Sequence, residues 1–507
     1  MSMPRYLPRC GSLIPLVLVF AACRAPFETG LITPPPPPPP GPLLPLRIGS
    51  DGPDFARAVA TDAAGNGYVV SYFANTVDFD AGPAAVVRTA VGPYDIALTK
   101  YAADGSFQWV FVIGGTDADV PFNVKLAPDG GLYVTGYVSS GALCNGHVLP
   151  NAGDRDILLM RISAVGTCDW AIAVGGPGAD EGHDLAVAAN GDVLVTGSFS
   201  GTVDFDPGPG TALLVSRGGT DGFVARYALD GTFRSVTQFG GTGDDAGNAI
   251  ALRADGDIMI AGTFNATATF GSALAPQLLV SAGGSDFFLA RLAPTLGLEW
   301  AIRGGGPGND AVHTGGIVVA SNNITYVTGT FTGSASLGPG AGSQLLVSHG
   351  DVDVFIANYD DTGVWASFAR TIGGIGTDGV SAFARDAGGN FYLGGSFQDA
   401  VDFDPGAGTR VVNALGTNGA ADAYVLSLTP TGDLRWVDPV GASISGDANV
   451  AITGWVSLAS DGSIWAVGRF FGLADFDPGP GAVQRQSLGD ADQFVVRYDQ
   501  ATGAIRR

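Results

Sequence analysis

Pairs of aspartates two positions apart recur along the chain, and each pair is followed by a turn rich in glycine and proline. The motif reads VDFDPGPG at 203–210, VDFDPGAG at 401–408 and ADFDPGPG at 474–481, with a relative, VDFDAGPA, at 77–84. Alternate residues of a β-strand point to the same side, so we expect the two carboxylates of each pair to face together. The pairs are Asp78 with Asp80, Asp204 with Asp206, Asp402 with Asp404 and Asp475 with Asp477.

This loop admits three interpretations. Two carboxylates and turn carbonyls could supply some of the ligands of a calcium site. Calcium, however, takes about six to eight oxygens, and the loop lacks the closely spaced acidic residues of an EF-hand. Asp followed by Pro and Gly is also an effective turn former. Because the equivalent loops at 142–149, 268–275 and 335–342 carry no acid pair, the sequence favours the turn and disfavours a catalytic acid pair. We predict no cofactor and leave calcium as the open alternative.

A further aspartate follows the glycine-rich end of a strand seven times. A carboxylate at such a point can accept hydrogen bonds from the backbone N–H groups of the turn that leads into the next strand. We therefore predict a structural role for this set. Its members are Asp54, Asp119, Asp180, Asp245, Asp310, Asp378 and Asp447.

These residues belong to a repeated unit. The stretch ANGDVLVTGSF at 189–199 is one of seven related copies, and the period is about 65 residues. Each copy contains two hairpin turns between β-rich runs such as GFVARY and DWAIAVGG, which indicates four antiparallel strands. A four-stranded meander repeated around an axis is a β-propeller blade. The alternative is an open array of small β-domains.

The chain ends favour a closed propeller. The seventh copy stops soon after its third strand, while PLLPLRIGSDGPD at 42–54 aligns with the fourth strand of other copies. We expect this N-terminal strand to complete the last blade and thereby hide the sheet edges that an open array exposes. The predicted fold is an all-β, seven-bladed β-propeller of four-stranded antiparallel blades over residues 46–507.

The stretches DEGHDLAVAANGDVLVTGSF at 180–199 and ATFGSALAPQLLVSAGGSDFFLARL at 268–292 resemble the bacterial seven-bladed β-propeller (SBBP) repeat. The resemblance covers essentially residues 46–507. It implies the same fold but leaves the function open, because propellers support many activities.

One position of the repeat varies in a way that suits ligand binding. The slot three residues after the repeated aspartate lies where the innermost strand enters the predicted channel, and a polar collar there could accept a small ligand. Hydrated channel residues without a ligand are the alternative interpretation. The polar side chains in this slot are Arg57, His183, Asn248, His313 and Ser381.

The sequence predicts a binding or scaffolding role for protein or glycan partners and no catalysis. It contains no G-x-S-x-G elbow, no H-E-x-x-H pair and no phosphate loop. An enzyme acting on polysaccharide at the channel mouth and a calcium-stabilised structural module are the alternatives. The net charge of −23 repels phosphates and excludes nucleic acid as a partner. We expect a monomer.

The N-terminus reads as an export signal. Residues 1–22 combine Arg5 and Arg9 with a short apolar run. The end FAAC at 20–23 resembles a lipobox, which implies that Cys23 carries a lipid and places the protein in the bacterial cell envelope, at the outer membrane or cell surface. Residues 23–45 include seven consecutive prolines and predict a stiff stalk. In an exported protein Cys144 and Cys168 are candidates for a disulfide, with two separate thiols as the alternative.

Overall fold

Runs of β-branched and aromatic residues separated by glycine turns form strands throughout the chain. The computed structural model describes residues 44–506 apart from 339–343, 416–419, 442–450, 478 and 480, and within these ranges every regular element is a β-strand. The predicted all-β class is therefore confirmed. Among the same residues no helix has the length and hydropathy needed to span a membrane.

The strands are numbered in chain order. The first group is β1 (Leu46–Ile48), β2 (Phe55–Thr61), β3 (Gly67–Phe73), β4 (Thr76–Asp78), β5 (Val87–Thr89), β6 (Asp95–Tyr101), β7 (Phe107–Ile113), β8 (Val120–Leu126), β9 (Leu132–Val138), β10 (Leu143–Cys144), β11 (His147–Val148), β12 (Asp156–Ile162) and β13 (Cys168–Val174). The second group is β14 (Glu181–Val187), β15 (Val193–Asp204), β16 (Leu213–Tyr227), β17 (Phe233–Gly241), β18 (Ala246–Leu252), β19 (Ile258–Phe270), β20 (Gln277–Leu292), β21 (Leu298–Gly304), β22 (Ala311–Val319), β23 (Thr325–Ser336), β24 (Leu345–Tyr359) and β25 (Trp365–Gly374). The third group is β26 (Gly379–Arg385), β27 (Phe391–Phe397), β28 (Ala400–Asp402), β29 (Val411–Asn413), β30 (Asp422–Leu428), β31 (Leu434–Val440), β32 (Ile452–Leu458), β33 (Ser463–Phe470), β34 (Leu473–Asp475), β35 (Gln484–Gln486) and β36 (Asp492–Asp499).

The strands pair into seven antiparallel four-stranded units, joined in places by short additional pairings. In chain order the units are β2-β3-β6-β7, β8-β9-β12-β13, β14-β15-β16-β17, β18-β19-β20-β21, β22-β23-β24-β25, β26-β27-β30-β31 and β32-β33-β36-β1. The last unit is completed from the beginning of the described chain, because Leu46 of β1 pairs with Val495 of β36.

The first strands of the units lie next to one another. Each contacts the first strand of the next unit, from β2 and β8 through to β26 and β32, and β32 in turn contacts β2. These strands carry buried small and aliphatic residues, which allow neighbouring units to approach closely.

A β-bulge interrupts the first strand of every unit near its start. In β2, for example, Ala56 pairs with Ser71 and Ala58 pairs with Val70, so Arg57 has no partner across the ladder. A bulge of this kind redirects the extra side chain out of the regular alternation. It is the local feature that places the variable slot of the repeat.

The core lies between units and is largely aromatic and aliphatic. In the third unit the Phe205 ring lies 5.5 Å from Phe199 and 4.9 Å from Phe223, measured between centroids, and all three side chains are buried. Phe205 lies between the two aspartates of the VDFDPGPG motif, so the motif anchors its hairpin to the core through this ring.

Candidate functional site

The paired aspartates of the repeated motif hold turns. In the third unit Asp204 Oδ1 accepts hydrogen bonds from the N–H groups of Asp206 at 3.1 Å and Ala212 at 2.7 Å. Asp206 Oδ1 accepts from the N–H of Gly208 at 2.8 Å. The other pairs repeat this arrangement at Asp78 and Asp80, Asp402 and Asp404, and Asp475 and Asp477.

This pattern gives the first carboxylate of each pair a backbone role like that of an Asx turn. In the part of the chain that the structure describes, no three His, Cys, Asp or Glu side chains group as metal ligands. The geometry of the motif is accounted for by its turn and by the buried phenylalanine between the two acids.

The single repeated aspartates bridge two segments of backbone. Asp245 Oδ2 accepts from the N–H of Gly241 at 2.7 Å, and its Oδ1 accepts from the N–H of Asn265 at 3.1 Å. One carboxylate, just before β18, thus ties the end of β17 in the preceding unit to β19. The same pair of bonds occurs at Asp54, Asp119, Asp180, Asp310 and Asp378.

The seventh unit departs from this pattern. Asp447 lies outside the described residues. The N–H of Ala451 donates to the carbonyl of Ala421 at 3.1 Å, as the N–H of Asp54 donates to the carbonyl of Ala491 at 2.8 Å in the first unit. The backbone position equivalent to Asp54 is therefore held by an alanine.

Burial raises the pKa of the bridging carboxyls. All six described members are at most about 1% exposed, and the loss of hydration penalises the ionised form more than the two N–H bonds favour it. The pKa rises to about 7 for Asp54 and Asp245 and to about 6 for Asp119, Asp310 and Asp378, and it is raised also for Asp180.

A second set of buried aspartates was missed by the sequence reasoning. Each member lies at the start of the third strand of a unit or inside that strand. Asp221, inside β16 and two residues before the run FVARY, accepts from the N–H of Arg217 at 3.2 Å and from Gln238 Nε2 at 2.6 Å. Its charge contributes to the raised pKa of Asp245. The signal was an aspartate recurring at one fixed place in the repeat: Asp95, Asp156, Asp221, Asp286, Asp353, Asp422 and Asp492.

The bulged slots of the first strands converge on one cavity of about 320 Å³. All five polar candidates of the variable slot line it: Arg57, His183, Asn248, His313 and Ser381. The cavity also contains residues that the sequence reasoning did not single out, namely Phe55, Phe122, Glu181, Thr314, Val380, Gly454 and Trp455. Phe122 and Gly454 occupy the same bulge in the second and seventh units.

A hydrogen-bonded chain runs along one side of the cavity. His183 Nδ1 lies 3.0 Å from Asn248 Oδ1 and its Nε2 lies 3.2 Å from Glu181 Oε2. Asn248 Nδ2 donates to the carbonyl of Val312 at 2.8 Å, which orients the amide so that its oxygen faces the imidazole. Three neighbouring first strands are therefore linked through side chains at the cavity wall.

Glu181 is an ionised wall residue. Burial favours its protonated form, but the hydrogen bond with His183 and the charges of His183, Arg155 and Arg57 outweigh burial, so the pKa of this carboxyl is lowered. Its Oε1 lies 2.7 Å from Arg155 Nη1.

The opposite side of the cavity is less charged. His313 Nε2 lies 2.8 Å from Thr330 Oγ1, and burial lowers the pKa of this imidazole. The hydroxyl of Ser381 donates to the carbonyl of Thr453.

Arg57 is held by aromatic rings. Its guanidinium carbon lies 4.8 Å from the centroid of Phe122 and 5.2 Å from that of Phe55. Burial lowers the pKa of the group. Such stacking supports a cation while leaving its N–H donors available.

The cysteine candidates have different outcomes. Cys144 and Cys168 form a disulfide in the structure, with their Cα atoms 6.1 Å apart. Cys23, the signal segment and the proline run lie outside the described residues.

Comparison with known proteins gives distant similarities. No family model matches the chain. The chain is 24% identical over 498 residues to the regulatory protein FlaEY of Caulobacter vibrioides, an alignment that covers 91% of this chain and 49% of that protein. The chain thus spans about half the length of this curated relative.

Two solved structures are also similar at low identity. The virginiamycin B lyase of Staphylococcus aureus shares 10% identity with a TM-score of 0.37, covering 89% of this chain and 97% of that chain. A protein of unknown function from Bacteroides caccae shares 10% identity with a TM-score of 0.33, covering 71% of this chain and 94% of that chain. These similarities assign no activity to this chain.

Proposed function

We propose that residues 46–507 form a seven-bladed β-propeller of the SBBP type. The seven four-stranded units support this proposal, as do the successive contacts of their first strands and the contact between β32 and β2. The pairing of β1 with β36 supports closure of the last blade by the N-terminal strand. In a propeller the cavity lies at one mouth of the central channel.

We further propose that the propeller is carried outside the cytoplasm on a lipid anchor at Cys23. The support is the sequence of residues 1–45, in which a charged and apolar signal precedes FAAC and a proline-rich stalk follows. In this arrangement the stalk would separate the propeller from the outer membrane or cell surface to which the lipid anchors it. We propose that the protein is a monomer there.

The protein's function, on this proposal, is to bind a small polar group of a glycan or protein partner at the channel mouth. One observation supports this function. All seven first strands contribute residues to the cavity, and these residues differ from unit to unit, whereas the bridging aspartates beside them repeat. A structural slot would tolerate the same residue in each unit. A site for one ligand needs different donors and acceptors in a single arrangement.

The wall favours binding over catalysis. Glu181 carries the one carboxylate among the described residues that line the cavity. A general acid at neutral pH needs a raised pKa, whereas His183 and Arg155 hold the pKa of Glu181 below its ordinary value. Its oxygens are engaged by these two side chains, which suits a fixed charge in a binding site.

The test is a ligand screen with a blocked cavity. The full chain, purified in detergent, is screened against small sugars, sugar acids and amino acids by ligand-observed NMR. The variant Ser381→Trp fills the cavity from its wall, and its circular dichroism and melting temperature establish that it folds. We expect ligands that bind the wild type and not the variant. If every ligand found binds both proteins equally, the channel-mouth assignment is wrong.

A further inference from the structure

Two arginines, Arg57 in the cavity wall and Arg469 beside it, have no hydrogen-bonded or ion-paired acid among the residues that the structure describes. Arg57 and Arg469 both lie over the ring of Phe55, with their guanidinium carbons 5.2 and 4.8 Å from its centroid. Arg57 also lies over Phe122. Neither guanidinium has a hydrogen bond or an ion pair with any residue that the structure describes. Both guanidinium groups stack on aromatic rings, and the charge of Glu181 in the same wall also acts on Arg57.

Acids greatly outnumber bases in the sequence, and several arginines pair with them. Arg291, by comparison, forms ion pairs with four carboxylates, and Arg161 with two. Two neighbouring guanidinium groups repel each other, and partial burial removes part of their hydration. An arrangement of this kind is favourable when an anion occupies the space between or beside them.

We infer that the cavity takes a small carboxylate-bearing ligand, such as a hexuronic acid residue, whose carboxylate binds the guanidinium of Arg57. This inference rests on the proposed ligand-binding function. A guanidinium presents paired N–H donors that match a carboxylate in a bidentate geometry. Arg469 adds positive charge beside the same wall, across the Phe55 ring.

The charge of the cavity favours a monoanion over a dianion. Glu181 lies in the same wall and is ionised, so a dianion such as a phosphate monoester would meet a fixed negative charge. The net charge of −23 adds to this repulsion.

The remaining wall suits the neutral part of a sugar acid. Trp455 and Phe122 offer apolar ring surface, and Thr314 offers a hydroxyl. A volume of about 320 Å³ lies at the small end of ligand sites and fits one or two sugar rings.

The experiment measures binding of glucuronate, glucose and glucose 6-phosphate to the full chain by NMR titration at one ionic strength. We expect glucuronate to bind about ten-fold or more tightly than either other probe. Arg57→Met should weaken glucuronate binding by about ten-fold or more, and Arg469→Met by a smaller factor. Arg57→Lys keeps the positive charge but lacks the paired N–H donors of a guanidinium. Its affinity for glucuronate should lie between those of the wild type and Arg57→Met.

The matched control is Arg410→Met, at an exposed arginine away from the cavity, which should leave glucuronate affinity unchanged. Equal binding of glucose and glucuronate overturns the inference, as does tighter binding of glucose 6-phosphate or an unchanged affinity in both Arg57 variants. A neutral ligand that Ser381→Trp excludes and Arg57→Met retains would leave the binding function standing and the carboxylate inference wrong. If Ser381→Trp excludes no ligand at all, the binding function itself fails.

Discussion

Raising the pH from 5 to 8 should destabilise the folded chain through its buried bridging aspartates. Asp245 shows the size of the effect. Its side chain is 0% exposed, and burial raises its pKa from 3.8 to about 7. Each pKa unit corresponds to about 1.4 kcal/mol, so protonation of this one group in the folded state is worth about 4 kcal/mol.

The direction of the pKa change determines whether a higher pH stabilises or destabilises the fold. The folded-state pKa of Asp245 lies above its unfolded value, so the stabilisation is complete below about pH 4 and is lost as the pH rises through about 7. Between pH 5 and pH 8 the free energy of unfolding should fall by about 3 kcal/mol from this group alone. The bridging aspartates with a pKa of about 6 act in the same direction at lower pH.

The assay is urea unfolding of the full chain, followed by tryptophan fluorescence at several pH values. Asp245→Asn removes the titrating proton and places an amide N–H₂ against a backbone N–H, which should cost about 1–3 kcal/mol at pH 5. The difference in unfolding free energy between pH 5 and pH 8 should then shrink by about 3 kcal/mol relative to wild type.

Val203→Ala is the control, because it creates a cavity at a buried site of the neighbouring unit without removing a titratable group. It should lower stability equally at both pH values. Stability that is constant or rises from pH 5 to pH 8 would refute the reasoning, and so would an Asp245→Asn chain that retains the wild-type pH dependence.

Three further predictions concern the disulfide, the acidic turns and the anchor. Cys144→Ser with Cys168→Ser should lower the free energy of unfolding by about 3 kcal/mol, because the bridge closes a loop of 24 residues. The wild type unfolded in the presence of reductant should have the same denaturation midpoint as the double variant. An unchanged denaturation midpoint in both experiments contradicts the disulfide. A calcium chelator should leave the melting temperature unchanged, because Asp204 and its equivalents accept hydrogen bonds from their own turns. If the chelator lowers the melting temperature and added calcium restores it, these loops bind calcium and the prediction is wrong. Cys23→Ser should abolish labelling by a radioactive fatty acid in cells, and continued labelling defeats the anchor assignment.

Much of the architecture could be predicted from the sequence, because a strand or turn pattern that is uncertain in one copy of the repeat is supported by the other copies. Seven related copies of the ANGDVLVTGSF stretch indicated the strands, and the Asp-Pro-Gly signal after Asp204 and Asp206 indicated a turn. Both features depend on interactions between residues close in the chain, where spacing alone fixes the geometry.

The contents of the site could be predicted only in part. The variable slot pointed to Arg57 and His183, because the repeat shows where each unit differs. Phe55 and Trp455 gave no such signal, because neither lies in the slot at which the repeat varies. The same limit applied to the buried aspartates of the third strands, whose importance comes from desolvation that a sequence does not reveal.

The sequence by itself determined the strands, the turns and the positions at which the units differ, because these follow from short-range patterns of side chains. Only the tertiary structure decided that Glu181 lines the same cavity as Arg57 and Asn248, and that Arg469 lies beside Arg57 across an aromatic ring. Such contacts join residues up to about 400 positions apart, and they depend on strand register and on the packing of neighbouring sheets.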